Sequence, residues 1–133
     1  MTRLDDLGKL ILRLGIASLL LFHGVFKLQS GIGFVEQMVN QAGLPQQLAY
    51  GVYFGEIVAP LLVIVGLLTR PAALIMAFDV AMAIFLARRD DLTRIGSGGG
   101  WAVEIEGALF VGALAIAFLG GGRLAVGGAS PYN

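Results

Sequence analysis

The chain has 133 residues, the size of one domain, and 57% of them are hydrophobic while only 14% are charged. Soluble chains carry about 25% charged residues, and one this short has no interior large enough for so much apolar surface, so a bilayer is the expected solvent. Nine Lys and Arg balance nine Asp and Glu, cysteine is absent and there is one histidine. These counts exclude the basic stripe that nucleic acid demands, disulfides and thiol relays, thiolate zinc or Cys-ligated iron–sulfur sites, and a bis-His haem held by a single chain.

Four apolar stretches of 17 to 22 residues stand out, within the roughly 17–25 that a spanning helix needs. The first is Leu7–Leu28. Its core, Leu10–Phe26, is longer than a usual signal core, carries Arg13 and is not followed by a small-x-small cleavage site, so it is expected to remain as an anchor. Between it and the second stretch, Phe34, Val35, Met38, Val39 and Ala42 share one helical face opposite Glu36, Gln37, Asn40 and Gln41. That period predicts a short helix over about 32–42 lying in the membrane interface, stopped by Gly43 and Pro45.

The second stretch is Leu48–Leu68 and the third Pro71–Ala87, joined only by Thr69 and Arg70. Thr69 is the expected N-cap of the third helix, and Pro71 suits its first turn, where a missing N–H costs little. The two should form a tight antiparallel hairpin. The next connection, "RRDDLTRIGSGGG", is polar and then glycine-rich. No strand precedes its glycines and no GK[ST] follows, so a mobile loop is expected rather than a phosphate cradle. The fourth stretch is Val103–Leu119, ended by "GGGR", and the tail Leu124–Asn133 is expected to fray. The predicted class is therefore an all-α integral membrane protein. It is a four-transmembrane-helix antiparallel bundle, one transmembrane domain over 1–133, with an interfacial helix between helices 1 and 2.

Four spans put both termini on one side. Arg3, Lys9, Arg70 and Arg123 then lie on the terminal side, against Arg88, Arg89 and Arg94 on the other, with Lys27 making a tie if counted. The positive-inside rule is read as both termini cytoplasmic, in a bacterial inner membrane.

A charge at the bilayer centre costs at least about 2.5–3.5 kcal/mol, so the charges inside the spans need a reason. Lys27 ends the first helix, where it can snorkel, and His23 lies one turn deeper on the same face. Arg13 is near that face but toward the opposite surface, where snorkelling or a headgroup phosphate would satisfy it. Glu56 is eight residues into the second span, roughly 12 Å down and too deep for so short a side chain to reach water. Tyr53 shares its face, and Asp79 is equally central in the third span. Glu104 and Glu106 open the fourth on opposite faces, so at most one points into the bundle. Helix direction and depth bring His23, Lys27, Glu56 and one of Glu104 and Glu106 into the same half of the membrane, with Asp79 near the midplane. Two readings stand: a polar ligand pocket, or an ion-pair network that fixes helix register. No metal site is expected.

The stretches "LRLGIASLLLFHGVFKL", "EIVAPLLVIVGLLTRPAAL" and "EIEGALFVGALAIAFLGGGR" resemble the DoxX family of small bacterial four-helix membrane proteins, over nearly the whole chain. By match to its motifs, the resemblance gives Arg13, His23, Gly24, Lys27, Glu56, Gly66, Thr69 and Arg70 as family positions, with a helix-four acid at Glu104 or Glu106. Two departures accompany it: Ala125 and Gly127 stand where the family has a Gly-x-Gly end and a Ser-x-Asp-like pattern, so no tail function is carried over. The resemblance implies thiosulfate:quinone oxidoreductase subunits, oxidant-defence complexes or, in the wider group, assembly of membrane proteins.

Three functions follow as expectations. The first is a subunit of a membrane oxidoreductase system. With no redox cofactor of its own, it would use a quinone or another small lipophilic molecule held by His23, Lys27, Tyr53, Glu56 and neighbouring acids, or the cofactor of a membrane or peripheral redox partner. The second is passage of a proton, ion or small solute, for which Pro60 and Gly66 are the only candidate helix breaks. The third is a non-enzymatic assembly or partner module, including a homo-oligomer, with Gly107, Ala108, Gly112, Ala113 and Ala115 seating another helix.

Overall fold

The computed structural model describes residues 3–128 and 130–133. They form five helices: α1, Arg3–Ser30; α2, Gly33–Gln41; α3, Gln46–Val65; α4, Thr69–Ala87; and α5, Glu104–Leu119. α1, α3 and α4 are, among the described residues, the helices long and apolar enough to cross a membrane. α5 has 16 residues, a rise of roughly 24 Å.

The packing is inside-out relative to a soluble protein. Small residues meet at the centre: Ala17, Ala59, Ala73 and Ala113 are 0% exposed. Bulky ones point outward, with Phe22 72%, Phe78 69% and Phe118 77% exposed. Without water, helix association depends on close backbone approach, which small residues permit, while large apolar side chains face lipid at no cost. Leu20, Val63, Met76 and Ile116 fill the remaining core.

α1 begins with Asp5 and Asp6 and ends with Lys27, charges that complement the helix dipole. α2 is set off by Gly31 and Gly43, whose φ angles of 86° and 79° turn the chain at each end. Its Val35 and Val39 pack with Ala49 and Leu86.

α3 changes geometry along its length. A 3-10 turn, Gln46–Tyr50, leads through α-helical Gly51–Tyr53 into a π-helical segment, Phe54–Val58, then α-helical Ala59–Val65. The cause is Pro60: it has no N–H to offer the Glu56 carbonyl, and its ring would collide with that oxygen in a regular helix. Gly66, at φ 81°, ends α3, with Gly66 and Leu67 donating to the Leu62 carbonyl.

Three local expectations are corrected. Thr69 is not the N-cap of α4: Leu68 holds that place in a left-handed conformation, and the Thr69 hydroxyl donates to Asn133 Oδ1 at 2.8 Å instead. The glycine-rich connection is not a loose loop. It holds a 3-10 turn at Arg89–Thr93, an antiparallel bridge between Ile95 and Trp101, and a 2.7 Å bond from the Trp101 indole to the Leu92 carbonyl. The tail does not fray. Val126 and Gly127 N–H groups bond the Val65 and Gly66 carbonyls, and the Arg70 N–H bonds the Tyr132 carbonyl, so the segment seals the α3–α4 corner. For Ala129 the expectation lies outside the described residues.

Candidate functional site

Two glycines bring three helices together around Glu56. A Cβ on Gly24 of α1 would overlap the Glu56 backbone, and a Cβ on Gly55 would lie 2.7 Å from the Asp79 Cβ of α4. The π-helical segment turns Glu56 into this junction. Lys27, one turn beyond Gly24, donates from Nζ to both Glu56 oxygens at 2.8 and 2.9 Å. Glu56 is 2% exposed, and the Asp79 side chain, which packs against neighbouring Gly55, lies beside it. One ammonium therefore faces two carboxyl groups, and charge balance calls for one further proton or cation.

A cavity of about 390 Å³ opens beside this triad. Val35 and Val39 of α2, Val52 of α3 and Met82 and Leu86 of α4 make its walls, and Lys27, Glu56 and Asp79 make its polar end. A second cavity, about 170 Å³, touches the same three residues from another side and is lined by His23, Arg88 and Glu106.

The remaining predicted residues divide clearly. His23 does not pair with a carboxylate: its Nδ1 lies 3.1 Å from the Leu19 carbonyl of its own helix, and the ring edges the second cavity. Tyr53 lines neither cavity and packs in the α2-side cluster, its ring centroid 6.4 Å from that of Tyr50. Glu106 turns inward and pairs with Arg88 at 2.8 Å, while Glu104 is exposed near Gly100. Glu106 and Asp91 hold the Arg88 guanidinium above its ordinary value.

Arg13 neither snorkels nor presents itself to a headgroup. It is 1% exposed and donates to the Val63, Ile64, Gly121 and Leu124 carbonyls at 3.0, 2.9, 2.9 and 2.8 Å. Val63 and Ile64 lie in the last turn of α3, whose carbonyls lack helical partners, and a cation there also suits the dipole. Gly66 must lack a side chain because a Cβ would sit 2.6 Å from Arg13 Nη2. Arg70 serves α5 similarly, donating to the Ala117 and Phe118 carbonyls at 3.3 and 2.7 Å.

Sequence reasoning missed Asp6 and Lys9, both buried near the start of α1, where Asp6 accepts from the Arg123 N–H at 3.2 Å. It also missed the π-helical segment, for which Pro60 four residues after Glu56 was the available signal.

Long apolar helices with small residues inside and bulky ones outside define a helical membrane protein. The DoxX family model matches residues 8–89, which include the whole Lys27–Glu56–Asp79 triad, and the chain belongs to the DoxX family. No curated protein and no solved structure matches it.

Proposed function

We propose that this DoxX-family protein binds a small lipophilic molecule with a polar head, a quinone being the best fit, as a subunit of a membrane oxidoreductase system that brings no redox cofactor of its own. The reading is carried by one observation: an apolar cavity that ends on the buried Glu56 carboxylate, its half-buried partner Lys27, and Asp79. Apolar walls with a few converging polar groups are what a lipophilic ligand with carbonyl or hydroxyl oxygens requires. Lys27 donates to such an oxygen, and the carboxyl groups accept from a hydroxyl.

In this reading α1, α3, α4 and α5 are the four spans, and α2 lies along the membrane surface with Val35 and Val39 over the cavity and Phe34 toward lipid. Both termini are cytoplasmic in a bacterial inner membrane. Electrons pass to a membrane or peripheral partner.

The test is binding of a short-tailed quinone analogue to protein purified in native lipid, together with extraction of co-purified lipophilic molecules. Saturable binding that weakens at least about tenfold in Glu56→Gln supports the reading, since the neutral amide leaves Lys27 unpaired. Absence of any bound quinone and of any response to the analogue refutes it.

A solute or proton transporter is the second reading. The observation favouring it is the break in regular helix at Glu56, because interrupted helices commonly frame transport sites. A flux in liposomes that Glu56→Gln abolishes would support it, and a flat trace from both proteins would refute it.

A further inference from the structure

The triad is a shared wall. Lys27, Glu56 and Asp79, with Ala83 and Ala87 of α4, line both the apolar cavity and the smaller charged cavity. The first is otherwise lined by hydrocarbon, from α2 through α4. The second ends at Arg88 and Glu106, both part-exposed where α4 ends and α5 begins. The groups facing the carboxyl pair are thus Lys27 and His23 from α1, Arg88 from the end of α4 and Glu106 from α5. Hydrocarbon walls give a ligand proton no acceptor on the lipid side, whereas the charged cavity offers polar groups and room for water: its volume exceeds the ~30 Å³ share of one water molecule several times over.

We infer that Glu56 and Asp79 form a proton relay between the two cavities, serving a ligand whose head carries an ionisable hydroxyl. This rests on the lipophilic-ligand reading above and specifies the ligand class. The ligand O–H bond breaks as a carboxylate O–H bond forms. The resulting oxyanion is held by the Lys27 ammonium, and the carboxyl then passes its proton to water in the charged cavity. One proton leaves the ligand and one reaches the water, and no electron moves in the step. The exit is on the membrane face opposite the termini, between His23, Arg88 and Glu106.

The experiment uses the full chain in lipid nanodiscs with an alkyl-tailed nitrophenol as probe, whose absorbance distinguishes phenol from phenolate. Affinity is measured at equilibrium, and the deprotonation rate of the bound probe is followed after a rapid pH rise. Leu109→Phe fills the charged cavity, and Glu106→Gln alters its mouth; neither residue lines the apolar cavity. Expected is unchanged affinity with deprotonation slowed at least about tenfold in Leu109→Phe and measurably in Glu106→Gln, within the range that positioned proton transfer contributes. Should Leu109→Phe fail to fold, Glu106→Gln and His23→Ala carry the same comparison. Equal rates in wild type and variants with unchanged affinity overturn the relay alone. Failure of the wild type to bind the probe overturns the hydroxyl ligand class and the relay with it, while quinone-analogue binding separately decides whether the cavity holds a ligand at all.

Discussion

Replacing Gly24 by alanine should unlock the junction on which the Lys27–Glu56 ion pair depends. The added methyl group would stand 2.7 Å from the Glu56 carbonyl carbon, where ordinary contact begins at 3.4 Å, and two of its three nearest atoms belong to backbone that cannot rotate away. α1 and α3 must therefore separate by a substantial fraction of an ångström, pulling Lys27 from the geometry that gives its two bonds to Glu56. Overpacking of this kind costs about 1–3 kcal/mol, or roughly a five- to 150-fold shift in the folding equilibrium. Gly15, nine residues earlier on the same helix, is the control. Nothing lies within 4 Å of its would-be Cβ, so Gly15→Ala should stabilise by about 0.5–1 kcal/mol through helix propensity alone. Thermal unfolding in detergent, followed by retention of the folded peak on size exclusion, reads both. Shifts of the same sign, or a Gly24→Ala protein as stable as wild type, would refute the close approach of α1 to Glu56.

Other expectations follow from the same contacts. Lys27→Met leaves Glu56 buried without its cation and should destabilise by about 3–5 kcal/mol, whereas the double variant Lys27→Met/Glu56→Leu should recover most of that in the same unfolding assay. Arg13→Lys keeps the charge but lacks the planar fork that reaches four carbonyls, so it should fail to give a monodisperse protein after extraction. Thr69→Val removes the bond to Asn133 and should cost about 1 kcal/mol, with faster proteolysis of the C-terminal segment as a second readout.

Hydropathy made the long helices legible because length and composition alone decide whether a segment suits lipid. The turn between α3 and α4 was legible for its brevity though not for its place, since it falls at residues 66–68 rather than at Thr69 and Arg70, and the meeting of Lys27 with Glu56 followed from helix direction and rise per residue. What was hidden depends on backbone acceptors. Arg13 reads as a snorkelling charge until the carbonyls of residues 63, 64, 121 and 124 converge on it, and carbonyls leave no trace in side-chain pattern. The tail looked frayed for the same reason: its contacts with Val65, Gly66 and Arg70 run through main-chain groups. His23 was expected to face a carboxylate because it shares a face with Lys27, yet its shorter side chain finds the Leu19 carbonyl first. Glu104 and Glu106 were separable only once Arg88 was located.

The placement of Arg13 has a consequence for how the protein is made. Two of the four oxygens that receive its guanidinium lie 108 and 111 residues downstream, so they emerge from the ribosome about 5 to 20 seconds after the arginine at ordinary elongation rates. During that interval the first helix carries a cation without its full set of acceptors, and headgroups or the translocation channel must shelter it. α1 therefore cannot settle into its final packing until α5 and the segment that follows it have been made.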